Sequence, residues 1–325
     1  MGGGNGTHRI LISSAGRRVA LLRCFQAAGR ELGIDLRILA CDLDPQWSAA
    51  CLEADAAFAA PPAGSDEFVE TMLALCERER VALVVPTIDT ELIAYAHAAH
   101  RFEATGTHVA IGSPALVEMA RDKYETARFL AAAGVTSPRT ARAAEIVGDG
   151  ADWSWPLLAK PRHGSSSRGI AAVSCPSELA ALDRQEPYIV QEMLRGREFT
   201  VSLYFDREGT LRCAIPHERL RVRAGEVEKG VTIRHPGLED AARRLAAALP
   251  APRGVKCFQA IMPPDEEPSV FEINARFGGG YPLAHRAGAT FARWLLEERF
   301  GRQSTATNDW EASVKMLRFD DAVFL

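Results

Sequence analysis

Short apolar runs alternate with amphipathic stretches along the first 115 residues of the chain. Four runs have the length of a strand, and they lie at residues 9–15, 36–42, 81–86 and 108–112. Strands that alternate with helices predict a parallel sheet with helices on its faces. Ligands of such sheets bind at the carboxyl ends of the strands, where three polar segments fall: residues 13–18, 42–44 and 86–91.

The pattern changes beyond this first unit. Later runs of strand length lie at residues 156–161, 170–174, 188–194, 254–262 and 269–276. Helical patterns lie at residues 114–120, 122–134 and 238–249. A Gly/Ser-rich loop at 163–169 separates two of the strand runs. We therefore expect an α/β unit followed by two α+β units, with a tail at 313–324 that forms a strand or two and has no assigned role.

Composition narrows the class of protein. The chain has 325 residues, of which 47% are hydrophobic and 25% charged, as in ordinary globular domains. This length favours two or three compact units over one. The net charge of -4 argues against a large basic face and therefore against a nucleic-acid partner. No run of about 18 apolar residues occurs, so a membrane span is not expected.

The seven cysteines are an odd number, are widely spread and form no CxxC pair. They signal neither a disulfide framework nor a zinc site, and reduced thiols in a cytoplasm fit best. Residues 1–8 are rich in glycine and lack the apolar stretch of a secretory signal, so we interpret them as a flexible leader.

The segment from Ser14 to Arg18 joins a strand to a helix. Backbone N–H groups, the helix dipole and two arginines at this point favour a carboxylate or phosphate ligand. A tight turn with solvated arginines is the alternative, because the full GxGxxG fingerprint is absent. For the acids in the other two polar segments, Asp42, Asp44 and Asp89, helix capping is the favoured interpretation.

The strand at 269–276 carries the most informative polar residues. Residues two apart share a face, so Glu272, Asn274 and Arg276 project together, while Phe271, Ile273 and Ala275 face the other way. Oxygen ligands for magnesium and a guanidinium for a phosphoryl group would explain this face. A solvated strand face is the alternative. The strand at 254–262 would place Gln259 beside Glu272.

Three further segments offer polar groups to a nucleotide or a substrate. Lys160 ends an apolar strand before the loop at 163–169, which could cover phosphates or form a hairpin turn. The segment from Glu192 to Glu198 passes from one predicted unit to the next. Its backbone could contact adenine while a carboxylate accepts hydrogen bonds from ribose hydroxyls, and salt bridges from both glutamates to arginines are the alternative. Arg219, Arg221 and Arg223 alternate onto one strand face and would bind an anion or pair with Glu226 and Glu228. Tyr281 and Arg286 are further candidates for the same pocket.

In their order, these motifs resemble the ATP-grasp superfamily, and most closely its branch similar to the carbamoyl phosphate synthase large subunit and amide-forming amino acid ligases. The resemblance is carried by DKY, the strand lysine before the Gly/Ser loop, QEMLRGREF, FQA and FEINARFGGG, and it covers roughly residues 9–300. It implies a pre-ATP-grasp α/β lobe at 9–115, a small lobe with connecting helices at 116–190, and a C-terminal lobe at 191–325. ATP would be clamped between the last two.

The resemblance also implies roles for particular residues. Those implied to bind ATP are Lys123, Lys160, Ser165, Ser166, Ser167, Gly169, Gln191, Glu192, Met193, Leu194 and Glu198. Gln259, Glu272 and Asn274 would surround two Mg²⁺ ions, with Mn²⁺ as an alternative. Arg276, Lys160 and Arg219 would act in phosphoryl transfer. Substrate contacts are expected from Ser14, Arg17, Arg219, Arg221 and Arg286.

The activity implied is ATP-dependent joining of a small carboxylic acid to an amine through an acyl phosphate. The two substrates would be the partners of the chain, with no nucleic acid and no membrane, and two copies would pair through the first lobe by analogy. One alternative is an enzyme that forms carboxyphosphate or carbamoyl phosphate from bicarbonate. Another is a nucleotide-binding sensor without turnover.

Overall fold

Three sheets organise the protein in the computed structural model, which describes residues 6–149, 152–164, 168–183, 186–264 and 266–324. The first strand begins at His8, within the segment 1–8 that was expected from the sequence to be a leader. Residues 1–5 lie outside the described part of the chain.

The first sheet is parallel and has five strands in the order β3-β2-β1-β4-β5. Its strands are β1 (His8–Ser13), β2 (Leu36–Asp42), β3 (Ala56–Ala59), β4 (Leu83–Pro86) and β5 (His108–Val109). Four helices connect them: α1 (Val19–Leu32), α2 (Ala49–Glu53), α3 (Phe68–Glu79) and α4 (Leu92–Ala104). Ile10, Leu11 and Ile12 are all fully buried, because helices cover both faces of a sheet built this way. The predicted parallel α/β unit is confirmed.

Two helices lead from the first sheet to the second. They are α5 (Pro114–Arg121) and α6 (Lys123–Ala132). The Ser113 hydroxyl accepts a hydrogen bond from Leu116 N, and Asp122 Oδ1 accepts from Tyr124 N and Glu125 N. These side chains satisfy backbone donors that the first helical turn leaves unpaired, so each helix begins where a capping residue stands.

The second sheet is antiparallel and has four strands in the order β6-β9-β7-β8. The strands are β6 (Thr140–Arg142), β7 (Leu157–Pro161), β8 (Ala171–Val173) and β9 (Tyr188–Glu192), and two helices pack with them, α7 (Ala143–Asp149) and α8 (Pro176–Asp183). A small hydrophobic core of its own, which includes Leu157, Val173 and Leu179, supports this sheet.

The third sheet has six strands in the order β14-β13-β10-β11-β12-β15, and each neighbouring pair is antiparallel. The strands are β10 (Arg197–Phe205), β11 (Leu211–Arg223), β12 (Glu226–Thr232), β13 (Gly254–Met262), β14 (Ser269–Asn274) and β15 (Lys315–Leu317). Three helices accompany them: α9 (Pro236–Ala248), α10 (Tyr281–Arg286) and α11 (Phe291–Arg299). Within residues 313–324, the expected tail strand is β15.

The first and third sheets share two hydrophobic cores. One contains Leu11 and Val84 of the first sheet together with Phe258 of the third, and the other joins Phe25 of α1 to Trp294 of α11. The mixed α/β and α+β class predicted from the sequence is confirmed. Within the described residues, none of the helices is both long and apolar enough to cross a bilayer.

Candidate active site

A cleft of about 580 Å³ is lined by residues from all three sheets and their connections. Polar side chains make up much of its wall. The charged residues among them are Arg17, Arg18, Asp89, Lys123, Lys160, Arg168, Glu192, Glu198, Arg219, Glu226, Glu272 and Arg276. So many charges around one space indicate a site for a charged ligand.

The register of the third sheet builds one wall of the cleft. Gln259 of β13 pairs with Glu272 of β14 on one side and with Thr200 of β10 on the other, and Thr200 pairs in turn with His217 of β11. Directly opposed residues of neighbouring strands present their side chains on the same face. The prediction that Gln259 lies beside Glu272 is therefore confirmed.

Gln259 bridges an acid and a base. Its amide satisfies both neighbours when Nε2 donates to Glu272 Oε2 and Oε1 accepts from Arg219 Nη1, each at 3.2 Å. Hydrogen bonding assigns this orientation. The amide thus links the carboxylate proposed for a metal to a buried guanidinium.

A β-bulge changes which residues of β14 face the cleft. Gln259 pairs with Glu272 but the next residue, Ala260, pairs with Val270, so Phe271 is the extra residue in its strand. Phe271 consequently lines the cleft together with Glu272 and Asn274. The expectation that Phe271 faces away from Glu272 is wrong, because simple alternation assumes a strand without a bulge.

Arg276 lies two residues beyond the end of β14 and still reaches the cleft. Its Nη2 donates to Asp89 Oδ2 at 2.6 Å and to Asn274 Oδ1 at 3.2 Å, while Nη1 donates to the carbonyl of Phe277. Its Nε is buried and has no partner among the described residues. Burial opposes the charge of Arg276, but the Asp89 carboxylate outweighs it and raises the pKa of the guanidinium.

Asp89 is a site residue that sequence reasoning assigned to helix capping. That assignment is wrong, because α4 begins later, at Leu92, and the carboxylate pairs with Arg276. Burial alone would raise the pKa of Asp89, yet Arg276 lowers it below its usual value. A carboxylate at the carboxyl end of a parallel strand was the available signal.

Lys160 of β7 is buried at the opposite side of the cleft. Its Nζ donates to Gln191 Oε1 of β9 at 2.7 Å and stands 4.8 Å from the centre of the Phe271 ring. Burial lowers the pKa of Lys160 to about 8, and the nearby Glu272 carboxylate acts in the opposite direction. An anion in the cleft would stabilise the charged form of this amine.

Lys123, at the start of α6, also lines the cleft. Its Nζ donates to the carbonyl oxygen of Gly164. Burial lowers its pKa, while Glu272 opposes that shift. Lys123 and Lys160 therefore approach the same carboxylate from two different elements.

The structure describes only part of the loop at 163–169. Ser165, Ser166 and Ser167 lie outside the described residues, so their expected contact with phosphates stays a prediction. Gly164 and Arg168 line the cleft. Gly169 has a positive φ of 72°, and its carbonyl accepts a hydrogen bond from the Tyr188 hydroxyl rather than lining the cleft.

The segment after β9 contributes to the cleft unevenly. Gln191, Glu192 and Leu194 line it, whereas Met193 is half-buried outside the lining. The carboxylate of Glu192 accepts a hydrogen bond from the backbone N–H of Arg139 at 3.0 Å. Gln191 also donates to the Thr140 hydroxyl at 3.0 Å, which fixes its amide toward Lys160.

Glu198 and Arg219 form an ion pair across β10 and β11. Arg219 Nη1 donates to Glu198 Oε1 at 2.5 Å, and only 5% of the Arg219 side chain is exposed. Both residues line the cleft. The salt bridge that the sequence left open as an alternative for Glu198 is thus present.

The other arginines of β11 do not join Arg219. Two register shifts interrupt the pairing of β11 with β12 around Arg221, so strict alternation fails. Arg221 is exposed and pairs with Glu228, and Arg223 pairs with Asp320. The expectation of one shared arginine face is wrong, and Arg221 does not line the cleft.

Tyr281 and Arg286 lie on α10, away from the cleft. The Tyr281 hydroxyl accepts a hydrogen bond from Ala292 N and contacts His285 Nδ1, so it joins α10 to α11. Arg286 is exposed at the end of α10. Their predicted placement in the substrate pocket is wrong, because the chain turns away after the glycine run at 278–280.

The segment between β1 and α1 is divided between structural and cleft positions. The Ser14 hydroxyl donates to Glu91 Oε2 at 2.8 Å and does not line the cleft, so its expected substrate role is not supported by its position. Arg17 and Arg18 do line it. Asp42 accepts from Gly16 N at 2.7 Å and holds this turn, while Asp44 precedes a short 3₁₀ helix without a side-chain cap bond.

Glu226 was expected only as a salt-bridge partner of the β11 arginines, and sequence reasoning did not single out Arg318. Arg318 follows β15, and its Nη1 donates to Glu226 Oε2 at 2.7 Å while its Nη2 donates to the carbonyl of Gly279. Glu226 in turn lies 3.8 Å from Arg18 Nη1. The C-terminal segment therefore holds the glycine run at the edge of the cleft.

The oxygen-bearing residues Gln259, Glu272 and Asn274 fit a hard divalent cation. Among the described residues, only Gln259 hydrogen-bonds to Glu272, so the carboxylate keeps acceptor sites toward the cleft. No group of three His, Cys, Asp or Glu side chains suited to a metal occurs in the described part of the chain. The Glu272 carboxylate with the Asn274 amide oxygen suits Mg²⁺ that shares its coordination with phosphate oxygens. Gln259 would join them when its amide turns the oxygen from Arg219 toward the ion.

Two family models match the chain. The model described as "PylC-like, N-terminal domain" matches residues 10–110, and the model described as "ATP-grasp domain" matches residues 120–280. Together the two matches cover most of the chain. The second includes the cleft residues Lys123, Lys160, Gln259, Glu272, Asn274 and Arg276.

Among curated proteins, the chain is similar to two D-alanine–D-alanine ligases. It is 32% identical over 97 residues to that of Pseudomonas fluorescens (strain Pf0-1), over 27% of this chain and 30% of the relative. It is 31% identical over 93 residues to that of Pseudomonas entomophila (strain L48), over 26% and 29%. The matched part thus spans less than a third of each relative.

Solved structures show the same fold at low identity. Biotin carboxylase from Campylobacter jejuni superimposes with a TM-score of 0.74 at 15% identity, over 92% of this chain and 72% of that one. L-amino acid ligase from Bacillus licheniformis gives 0.70 at 16%, over 92% and 75%. N5-carboxyaminoimidazole ribonucleotide synthetase from Thermotoga maritima gives 0.69 at 15%, over 95% and 79%.

Proposed function

The chain belongs to the ATP-grasp superfamily, and from this premise we propose that it is an ATP-dependent carboxylate–amine ligase acting on small molecules. The observation that carries the proposal is the convergence, in one cleft, of a buried and a half-buried lysine, an oxygen-rich row and a guanidinium. Lys123, Lys160 and the segment that carries Glu272, Asn274 and Arg276 are three separate stretches of sequence, and all five residues line the same space. Binding of a nucleotide without turnover would not need all of them.

We assign the nucleotide to the part of the cleft between the second and third sheets. Lys123 and Lys160 would neutralise ATP phosphates, and the loop at 163–169 would cover them. Glu192 and Leu194 would flank adenine. Glu198 would bind ribose hydroxyls after exchanging part of its contact with Arg219, because a carboxylate has several acceptor positions.

Gln259, Glu272 and Asn274 would hold Mg²⁺, or Mn²⁺ as the alternative. The ion would neutralise charge on the transferred phosphoryl group. Gln259 keeps Glu272 oriented, and Arg276 holds Asn274 at its amide oxygen. Arg276, held by Asp89, would contact the phosphoryl oxygens as the charge moves.

The proposed reaction has two steps. A substrate carboxylate oxygen attacks the γ-phosphorus, the bond to ADP breaks, and an acyl phosphate forms. The amine then attacks the carbonyl carbon, the C–O bond to phosphate breaks, and the amine loses a proton to give an amide. Phosphate leaves more readily than oxide, so positioning and charge neutralisation suffice without an enzyme nucleophile.

A screen for ADP release tests this proposal. We expect that a specific pair of acid and amine stimulates ADP release, and that the amide accumulates in equal amount by mass spectrometry. Glu272→Gln should lower turnover by at least about 100-fold, because the metal loses its carboxylate ligand. Glu208→Gln, in an exposed turn, is the matched control. Full turnover in Glu272→Gln would refute the metal assignment.

A second candidate function is phosphorylation of bicarbonate. It is favoured by the fold similarity to biotin carboxylase and to N5-carboxyaminoimidazole ribonucleotide synthetases. This alternative predicts ADP release that depends on bicarbonate and continues without any other acid. Release that requires an organic acid in bicarbonate-free buffer would exclude it.

We also propose a cytoplasmic location and a homodimer. Every one of the seven cysteines is free, and six of them are buried, as suits a reducing compartment. Pairing through the first sheet and its helices remains an analogy with ligases of this fold. Light scattering on the purified chain would measure its oligomeric state.

A further inference from the structure

The end of the cleft beside the first sheet concentrates positive charge. Three guanidinium groups line it, those of Arg17, Arg18 and Arg276, and two carboxylates, Asp89 and Glu226. A fourth guanidinium, that of Arg318, lies behind this wall and contacts Glu226 and the carbonyl of Gly279. Both acids already have an arginine partner. Arg276 pairs with Asp89 at 2.6 Å, and Arg318 pairs with Glu226 at 2.7 Å. The other two guanidinium groups have no carboxylate within hydrogen-bond distance, and one of them lies 3.8 Å from Glu226.

The two that remain are Arg17 and Arg18. Arg17 lines the cleft, is exposed, and makes no hydrogen bond or ion pair within the described residues. Arg18 is more enclosed, with 18% of its side chain exposed, and donates one hydrogen bond, from Nη2 to Thr87 O at 3.3 Å. Its distance of 3.8 Å to Glu226 is too long for a hydrogen bond. Most donors of both side chains are thus unused.

The surroundings of Arg18 disfavour the charged form of its guanidinium as long as no anion is bound nearby. Burial lowers its pKa, and the nearby charges of Arg276 and Arg318 add to that effect, while Glu226 and Asp89 act against it. Like charges held together at low exposure are stabilised when an anion binds between them.

The glycine run at 278–280 forms part of the wall at this end of the cleft. A Cβ atom on Gly279 would stand 2.6 Å from the Glu226 carboxyl carbon, and one on Gly280 would stand 2.5 Å from His217 Nε2. Side chains cannot be accommodated on that side of the run. The three glycines also line the cleft, so this part of its wall presents backbone rather than side chains to a ligand.

We propose that Arg17 and Arg18 bind a second anionic group of the acid substrate, separate from the carboxylate that is phosphorylated beside Arg276. The inference rests on the proposed ligase function and names its substrate class: an acid with two anionic groups. A carboxylate and a phosphate present the same oxygen pattern to a pair of guanidinium groups. Lys123 and Lys160 are not available for this second anionic group, since both would contact the phosphates of ATP.

Matched acids test the inference. Succinate, glutarate and adipate are compared with butyrate, pentanoate and hexanoate, and 3-phosphonopropionate represents the phosphate arm. We expect at least one dianionic acid to have a KM lower by about tenfold than its monoanionic counterpart, as one or two charge-assisted hydrogen bonds provide. Preference for the phosphonate over succinate would identify a phosphate as the natural group, and the reverse preference a carboxylate.

Two variants locate the effect. Arg17→Gln and Arg18→Gln should each raise the KM of the dianionic acid by about tenfold and leave the KM of ATP and of the monoanionic acids unchanged. Arg23→Gln is the matched control, since Arg23 lies on α1, pairs with Glu53 and does not line the cleft. Arg17 is exposed, so its variant is expected to fold even if Arg18→Gln does not.

Equal KM values for monoanionic and dianionic acids, or an unchanged preference in Arg17→Gln, would overturn the inference. Absence of ADP release with every acid and amine would instead overturn the ligase proposal. In that case isothermal calorimetry measures whether the same acids bind to the anion site in the absence of turnover. Binding of a dianionic acid that Arg17→Gln weakens would support it, and no binding would refute it.

Discussion

Asp89 and Arg276 show how one residue pair connects two parts of the molecule. Asp89 follows the first sheet and Arg276 follows the third, and their side chains meet at 2.6 Å with about 15% of each exposed. At this depth an unpaired charge is costly, so each group fixes the other. The pair therefore holds the guanidinium of Arg276 at the cleft.

Replacing Asp89 by Asn should destabilise the protein by about 3 kcal/mol, because Arg276 would remain buried without a counter-ion. Chemical denaturation with urea measures this loss. Turnover should also fall, since Arg276 would lose its orientation. Glu70→Gln is the control, because its partner Arg101 is exposed and surface pairs contribute little. Equal losses in the two variants would contradict the argument.

At the scale of elements, the register of four strands decides the composition of the site. The row from Glu272 through Gln259 and Thr200 to His217 crosses β14, β13, β10 and β11. His217 ends this row beneath the glycine run, fully buried, and neither ring nitrogen has a partner among the described residues. Burial lowers the pKa of His217 to about 3, so the imidazole is neutral. The neutral ring packs against Gly280.

Gly280→Ala should therefore disturb the glycine run through His217. The added Cβ would meet His217 Nε2 at 2.5 Å, and we expect a loss of about 2 kcal/mol in stability with reduced turnover. Adding His217→Ala should recover part of the stability, which a double-mutant cycle measures. Gly64→Ala, where nothing lies within 4 Å, is the control. Additive losses would show that the contact is not the cause.

At the scale of the whole molecule, the first and third sheets fold as one body because they share both large cores. Lys256 of β13 lies at this junction, fully buried, with its Cε 3.2 Å from where a Cβ of Gly112 would stand. Its Nζ donates to the carbonyls of Arg253 and Val255. Burial lowers the pKa of Lys256 to about 7 from its ordinary value of 10.5.

Lys256 should make stability depend on pH. Between its folded pKa of about 7 and its unfolded value of 10.5, the unfolded state binds the proton and the folded state does not. Stability from this group therefore rises with pH across that window and is lost as pH falls toward 7. Lys256→Met should flatten the rise in urea midpoint between pH 7 and pH 9, whereas Lys315→Met, at an exposed position, should not. An unchanged slope in Lys256→Met would contradict the assignment.

Periodicity and local chemistry in the sequence were sufficient for the order of elements, the parallel first unit, the position of Gln259 beside Glu272 and the resemblance to ATP-grasp enzymes. These features depend on residues close together in the chain or on regular strand geometry. Tertiary structure alone decided that Asp89 pairs with Arg276, that a bulge turns Phe271 into the cleft, that Arg221 and Arg286 stay outside it, and that Arg318 holds the glycine run. Each of these depends on a register shift or a contact between distant segments, and neither leaves a periodic signal in the sequence.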